Sequence, residues 1–500
     1  MIYQVYPRSF ADSNGDGIGD LPGIRSRLPY LRDLGVDAVW LSPFYLSPQA
    51  DGGYDVIDYR VVDPMFGTVA DAEALIRDAH GLGLRVIVDV VPNHSSDRHD
   101  WFRRALADGP GSAFRKRYHF RRGRGDLPPN DWRSLFGGPA WTRTTDGEWY
   151  LHLFAPEQPD FNWDHPAVAD EFRGVLRFWL DLGVDGFRVD VAHGLVKAPG
   201  QPDQGCFDQD GVHDIYREWR TVLDEYPGER IGVAEAWAPT LDRVANYVRP
   251  GELHQAFNFR YLAADWDADV QRRVVTESIS AMAAVGAPAT WVLSNHDVTR
   301  HTTRLLQTGT GEVAGRRAEA VDPVAGLRRA RAATLLMLAL PGSAYLFQGE
   351  ELGLPEVLDL PDEVRQDPAF HRATGQDGYR DGCRVPLPWD GDEPPYGFGP
   401  GGSWLPQPRD WAGLSVAAQQ DRPDSTLELY RRALALRHSI AGELEWLDSP
   451  PGTISFRRGE FGCVVNMSDA PVPVEGAVLL ASAPVVDALL PDTTIWRSIR

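Results

Sequence analysis

RVIVDVVPNH, residues 85–94, reads as a strand buried on both faces that ends in a polar tip. Five of its first seven residues are Val or Ile. β-Branched side chains suit an extended packed backbone, and a near-continuous apolar run leaves no face for solvent, as in a parallel sheet. Pro92-Asn93-His94 then halts the run and supplies hydrogen-bonding groups. Comparable runs occur at residues 2–6, 38–42, 186–190, 231–235, 255–258, 290–294 and 343–347. Stretches with helical periodicity lie between them, including 71–81, 167–182 and 325–339. Eight such repeats predict an α/β fold, a parallel sheet closed into a (β/α)8 TIM barrel. GFRVD (186–190), VAEAW (233–237) and LSNHD (293–297) also finish on polar or charged residues. The C-terminal strand ends of such a barrel share one rim, so these side chains are expected to converge there.

Two segments break the rhythm. Residues 95–165 contain Gly, Pro, Arg and Trp with little helical periodicity, as in FRRGRGDLPPNDWRSLFGG (120–138), and predict a subdomain inserted after strand three. Residues 353–423, rich in Pro, Gly and Asp, follow strand eight and predict another wall of the pocket. After a helix around 427–438, the alternating runs GTISFRR (452–458) and GCVVNMS (462–468) predict antiparallel strands. The expected division is a catalytic barrel from 1–94 and 166–424, an inserted subdomain at 95–165, and a helix with a small antiparallel β domain at 425–500.

The chain has 50 Lys and Arg against 71 Asp and Glu, a net charge of −21. This repels phosphate backbones and acidic lipid, so neither nucleic acid nor membrane is expected as a partner, whereas a neutral sugar meets no barrier. Cys206, Cys383 and Cys463 form no CxxC pair and no disulfide framework, which predicts thiols in a reducing cytoplasm. MIYQVYPRSF lacks the charged region and long apolar stretch of a signal peptide, and no run is long enough to span a bilayer. A strand starting almost at residue 2 leads us to expect a short lead-in before it.

Breaking a glycosidic bond requires two carboxyl groups of opposite protonation, one nucleophilic and one acidic. Arg188 and Asp190 lie two apart on a strand and therefore point the same way, and a guanidinium keeps a neighbouring carboxylate ionised. Glu235, between Ala234 and Ala236 and followed by Trp237, has the apolar sequence neighbours expected of a protonated general acid. Asp297 beside His296 makes a pair suited to gripping sugar hydroxyls.

In this order, the motifs resemble those of the α-amylase family of glycoside hydrolases, in its oligo-1,6-glucosidase and α-glucosidase branch. DVVPNH (89–94), GFRVDVAH (186–193), VAEAW and LSNHD look like the four family signatures. QPDFNWD (158–164) is similar to QPDLN, and DGCRVPLPWD (381–390) to the branch's CRTPMPW segment. The resemblance implies Asp190 as nucleophile, Glu235 as general acid/base and Asp297 as the transition-state stabiliser. It further implies that His94, Arg188 and His296 bind the sugar whose bond is cleaved. In DGGYD (51–55), Asp51 would bind the non-reducing glucose and Tyr54 would stack on its ring, with Arg384 joining Asp51 to close that end. The implied activity is retaining, exo-acting hydrolysis of terminal α-glucosyl units in short oligosaccharides, with no organic cofactor. Val191 after the nucleophile often accompanies α-1,6 activity in this branch. The small residues near it, in Ala192-His193-Gly194, favour α-1,4 before α-1,6.

The loop Asp12-Ser13-Asn14-Gly15-Asp16-Gly17-Ile18-Gly19-Asp20 places oxygen donors at alternate positions with glycine sixth, as in the first part of an EF-hand loop. Gly23 stands where the bidentate Glu would be. The resembled branch carries a DxNxDxIxD loop that binds one calcium or magnesium ion, implying a structural site at Asp12, Asn14, Asp16, Ile18 and Asp20. The alternative is an Asp/Gly-rich turn with no ion. Among alternative functions, a catalytically inactive transporter-associated relative would lack a carboxylate and carry a membrane helix. A transferase or isomerase on the same scaffold, making trehalose or rearranging sucrose, differs mainly in excluding water. The RLDRD loop of sucrose isomerases is not visible here.

Overall fold

A computed structural model describes residues 1–198, 205–307, 317–372 and 378–499. Eight strands form one parallel sheet: β1 (Ile2–Val5), β2 (Ala38–Leu41), β3 (Arg85–Val90), β4 (Gly186–Val189), β5 (Ile231–Ala234), β6 (Gln255–Ala256), β7 (Thr290–Val292) and β8 (Ser343–Phe347). Their order is β6-β5-β4-β3-β2-β1-β8-β7. β1 pairs with β2 on one side (Ile2 opposite Ala38) and β8 on the other (Ile2 opposite Tyr345), so the two ends of the barrel sequence meet. This is the expected (β/α)8 barrel. Ile2, Ala38, Trp40, Ile87, Val233, Val292 and Tyr345 pack together as one inner cluster. Their alternate neighbours Tyr3, Val39, Val86 and Val88 belong to the larger core shared with the helices.

Several strands stop one or two residues short of the expectation. Ser42, Asp190 and Glu235 still donate their N–H groups to the Val5, Val90 and Val189 carbonyls (3.0, 2.9 and 3.0 Å), but at other tips side chains take over. Tyr6 donates its N–H to Gln348 Oε1 (2.7 Å), and Asn258 Oδ1 accepts from Tyr261 N (3.0 Å) to start the helix Phe259–Leu262. Ser294 Oγ accepts from His301 N (3.0 Å). Helices instead begin earlier than periodicity suggests. Val69–Gly81 is capped by Thr68 and Asp71 in a capping box. Pro166–Asp181 and Pro323–Ala339 place proline in the first turn, where its missing N–H costs nothing.

Within residues 95–165, three antiparallel strands (Phe120–Arg122, Glu148–Leu151, Trp141–Arg143) pack around Trp132, Trp141, Leu151 and Leu153. The segment also holds the helix Asp100–Asp108, which its Gly- and Pro-rich remainder obscured. A bridge between His94 and Asp160 returns the insertion to the tip of β3. The segment after β8, of which 373–377 lies outside the described residues, folds back on the early loop: Asp12 N donates to Phe398 O (2.8 Å) and Trp404 N to Gly17 O (2.9 Å). After the helix Thr426–Arg437, a five-stranded antiparallel sheet docks on the barrel helices, with Trp496 Nε1 donating to Leu335 O (3.0 Å). All three cysteines are buried thiols. Among the described residues no helix is long and apolar enough to cross a membrane.

Candidate active site

Arg188, at the end of β4, is almost wholly buried and organises one half of the site. Its Nη1 donates to Asp89 (2.9 Å) and Asp190 (2.6 Å), and Nη2 lies 2.8 Å from Glu235 Oε2. Three carboxylates thus share one guanidinium. Burial raises Asp190 well above the usual carboxylate range, with Glu235 and Asp89 adding to the rise and Arg188 opposing it. Asp89 is likewise pushed up by burial, to about 7. Burial thus outweighs the one positive charge at Asp89 and Asp190, so Arg188 alone does not keep Asp190 ionised as its spacing suggested.

Glu235 does not occupy the apolar setting that its sequence neighbours suggested. Ala234 and Ala236 turn into the barrel–helix core, while the carboxylate faces Arg188 and accepts from Val191 N (2.9 Å) and Trp237 Nε1 (3.3 Å). Alternation along the strand separates a residue from the neighbours adjoining it in sequence.

The second half centres on Asp297. Its Oδ1 accepts from Arg380 Nη1 (3.1 Å) and Arg384 Nη2 (3.0 Å), and Oδ2 lies 3.2 Å from His296 Nε2. Burial alone would raise its pKa, but His296, Arg380 and Arg384 together hold it well below the carboxylate range. Asp297 is therefore the firmly ionised member of the site. Gln4 Nε2 donates to His296 Nδ1 (2.7 Å), which leaves the imidazole proton on Nε2, facing Asp297. Burial lowers the pKa of His296 to about 3 and keeps it neutral. Its ring is sandwiched between Tyr6 (5.8 Å, 19°) and Tyr54 (5.2 Å, 4°), and the Tyr54 hydroxyl donates to Asp89 (3.2 Å), joining the two halves.

The closed end differs from the expectation in one pairing. Asp51 is bound by Arg380 Nη2 (2.9 Å), while Arg384 turns to Asp297 and to the His296 carbonyl (2.8 Å). Asp367 decides this. It takes two further Arg380 hydrogen bonds (2.9 and 2.8 Å), and Arg380 in turn pulls its pKa down to about 2 against the effect of burial. Asp51 itself is raised by burial despite Arg380 and Arg384. Gln158, from the inserted segment, donates to Asp51 Oδ2 (3.1 Å) and lies 3.1 Å from His94 Nε2. His94, lowered to about 4 by burial, reaches the Tyr54 carbonyl (3.1 Å). Gly52 and Gly53, at φ 57° and 102°, allow the tight DGGYD turn, which Asp55 braces by accepting from Asp51 N (3.0 Å) and Ala50 N (3.0 Å).

All nine carboxylate, cation and aromatic residues expected at the site are therefore joined in one network. Asp89, Gln158, Asp367 and Arg380 were not read as its members. Asp89 and Gln158 lie inside motifs already singled out, DVVPNH and QPDFNWD, and were the findable ones.

These strand ends, in this order on a (β/α)8 barrel, coincide with a family-wide match: the model for the α-amylase catalytic domain covers residues 4–443. The chain belongs to the α-amylase family. Within it, this family member is 37% identical to a probable α-glucosidase of Rhizobium meliloti, over 94% of this chain and 89% of that protein. It is 34% identical to an oligo-1,6-glucosidase of Parageobacillus thermoglucosidasius, over 87% and 82%. The solved structure of the α-glucosyl transfer enzyme XgtA matches all of this chain and 98% of its own, at 34% identity and a TM-score of 0.87. The protein is a glycoside hydrolase of the family's α-glucosidase branch.

The loop from Asp12 to Asp20 lies apart from this network. Asp12 accepts from Asn14, Gly15 and Gly17 N–H groups (3.0, 2.7 and 3.0 Å), Asn14 from Asp16 N (2.9 Å), and Asp16 from Ile18 N (2.9 Å). Asp20 caps the helix Leu21–Ser26 through Gly23 N (2.6 Å) and also holds Ser13. Among the described residues no three His, Cys, Asp or Glu side chains are gathered for a metal. A cation here would draw on the Asn14 amide oxygen and the Ile18 carbonyl beside the carboxylates, an all-oxygen set that fits calcium or magnesium in kind.

Proposed function

We propose that the protein is a retaining, exo-acting α-glucosidase that releases terminal glucose from short oligosaccharides, α-1,4 before α-1,6. The observation that carries this reading is Arg188 bridging Asp190 and Glu235 from its two terminal nitrogens. Carboxyl groups on one guanidinium favour the close spacing of a retaining pair, about 5–5.5 Å, over the ~6.5–9.5 Å that an inverting enzyme needs to admit water. In the first step, with Asp190 in its ionised form and the proton on Glu235, an Asp190 oxygen bonds to the anomeric carbon as the glycosidic C–O bond breaks, and Glu235 gives its proton to the departing oxygen. In the second, water gives a proton to Glu235 and attacks the same carbon, and the bond to Asp190 breaks. Two inversions retain the configuration. Asp297, held ionised, supports the positive charge that develops on the sugar. Arg188, His94 and His296 bind that sugar, Tyr54 stacks on it, and Asp51 takes its far hydroxyls.

Exo-action is supported by the closed end. Asp51 from the loop after β2, Gln158 from the insertion and Arg380 from the segment after β8 meet there through hydrogen bonds of 3.1 and 2.9 Å. The expected division, with the barrel at 1–94 and 166–424, the insertion at 95–165 and the terminal domain at 425–500, puts Asp51 and Arg380 in the barrel unit and Gln158 in the insertion. The Asp12–Asp20 loop would hold one calcium or magnesium ion, with a structural role only. Three buried thiols favour a reducing compartment such as the cytoplasm.

Transfer or isomerisation is the second reading, favoured by the likeness to XgtA. Maltose, isomaltose, trehalose, sucrose and starch should be supplied separately and the products resolved by chromatography. Glucose from maltose faster than from isomaltose, with α-glucose formed first, is the expected result. Longer or isomeric sugars as main products would favour the second reading. Rapid loss of starch viscosity with little glucose would oppose exo-action.

A further inference from the structure

Val191, the residue after Asp190, has φ of 45°. Among the described residues, the other non-glycine positions with positive φ are Gln49, Asp208, Tyr396, Asp421 and Asp492, none of them β-branched. A β-branched side chain is among the least tolerant of this region, where Cβ crowds the following carbonyl. Such strain persists only where the surroundings over-determine it.

Here they do. Ala192 N donates to the Glu235 carbonyl (2.8 Å), and Gly194 N closes back on the Val191 carbonyl (2.8 Å). A Cβ on Gly194 would lie 2.7 Å from Val191 Cγ1, so glycine there leaves the valine room to turn. The outcome of the turn is that Val191 N–H points at Glu235 Oε2, 2.9 Å away. That oxygen also faces Arg188 Nη2 at 2.8 Å. Both neighbours are donors without acceptor capacity and together they occupy Oε2, whereas Oε1 faces one donor, Trp237 Nε1, at the longer 3.3 Å and keeps a lone-pair site for a proton.

We propose that Val191 is a positioning residue: its left-handed backbone fixes one oxygen of Glu235 and leaves Oε1 to carry the proton delivered to the departing sugar. This rests on Glu235 being the acid/base. The side chain and the backbone act separately, and two variants separate them. Val191→Ala trims the side chain but keeps the turn, whereas Gly194→Ala places a Cβ 2.7 Å from Val191 Cγ1 and crowds the valine out of its turn. The readout is kcat/KM on maltose, whose leaving group needs protonation, divided by kcat/KM on 4-nitrophenyl α-glucoside, whose leaving group needs little. General acid catalysis is worth about 10²–10⁴-fold, so partial misplacement should lower this ratio by roughly tenfold more in Gly194→Ala than in Val191→Ala. Thermal unfolding of both variants confirms that each is folded. Equal ratios in Val191→Ala and Gly194→Ala would overturn the proposal. Failure of the wild-type protein to cleave either substrate would instead overturn the functional reading beneath it.

Discussion

The closed end of the site can be tested through its pairing. Arg380 makes four side-chain hydrogen bonds, two to Asp367 (2.9 and 2.8 Å), one to Asp51 (2.9 Å) and one to Asp297 (3.1 Å). Its side chain is 10% exposed and that of Asp51 6%, so solvent does little to screen the pair. A hydrogen bond between charged groups contributes about 1.5–3 kcal/mol. In a cycle of Asp51→Asn, Arg380→Met and the double variant, kcat/KM should therefore depart from additivity by roughly 10- to 150-fold. The parallel cycle with Arg384→Met should show smaller coupling, because Arg384 spends its hydrogen bonds on Asp297 and the His296 carbonyl and acts on Asp51 through its charge alone. Initial rates on 4-nitrophenyl α-glucoside at low substrate concentration give all the required values. Larger coupling of Asp51 to Arg384 than to Arg380 would refute the pairing and return Arg384 to the closing role.

Asp190→Asn should remain folded with turnover reduced by several orders of magnitude; activity above about a tenth of wild type would remove Asp190 as nucleophile. Glu235→Gln should lose far more on maltose than on nitrophenyl glucosides, and equal losses would argue against it as the acid. Burial raises Glu350 to about 8, Glu356 and Asp89 to about 7 and Asp55 to about 6. Unfolded carboxyls titrate near 4, so the folded state binds these extra protons. The stability they add is whole below about pH 4 and is lost as pH climbs through 6 to 8, by up to ~1.4 kcal/mol per pH unit for each group. Tm should accordingly fall from pH 6 to 8 at fixed ionic strength, and less steeply in Glu350→Gln; a Tm that rises over this range would contradict the assignment. Stripping divalent ions should lower Tm and calcium or magnesium should restore it by mass action, whereas unchanged melting would leave Asp12, Asn14, Asp16 and Asp20 as a turn.

Local pattern was enough for the barrel. Runs such as RVIVDV are apolar because both strand faces are covered, and that requirement is written residue by residue, so strand count and type follow from the chain itself. The catalytic candidates were legible for a related reason: Asp190, Glu235 and Asp297 sit within a few residues of strand ends, and the barrel brings those ends to one rim. Partner choice is a different matter. Asp51 and Arg380 are 329 residues apart, and Arg380 and Asp297 are 83 apart. Whether Arg380 or Arg384 meets Asp51 depends on how Asp367 seats one guanidinium, four positions away from the other. The surroundings of Glu235 were misjudged because adjoining residues on a strand face away from one another; beside Trp237 two residues on, its partners are Arg188 of β4 and Val191 in the turn after it. The left-handed backbone at Val191 had no local signal at all, since valine is a residue that sequence reading assigns to extended structure. Sequence determines elements through short-range periodicity. Charge pairing and backbone strain are settled by long-range packing, where several distant segments must satisfy the same buried groups at once.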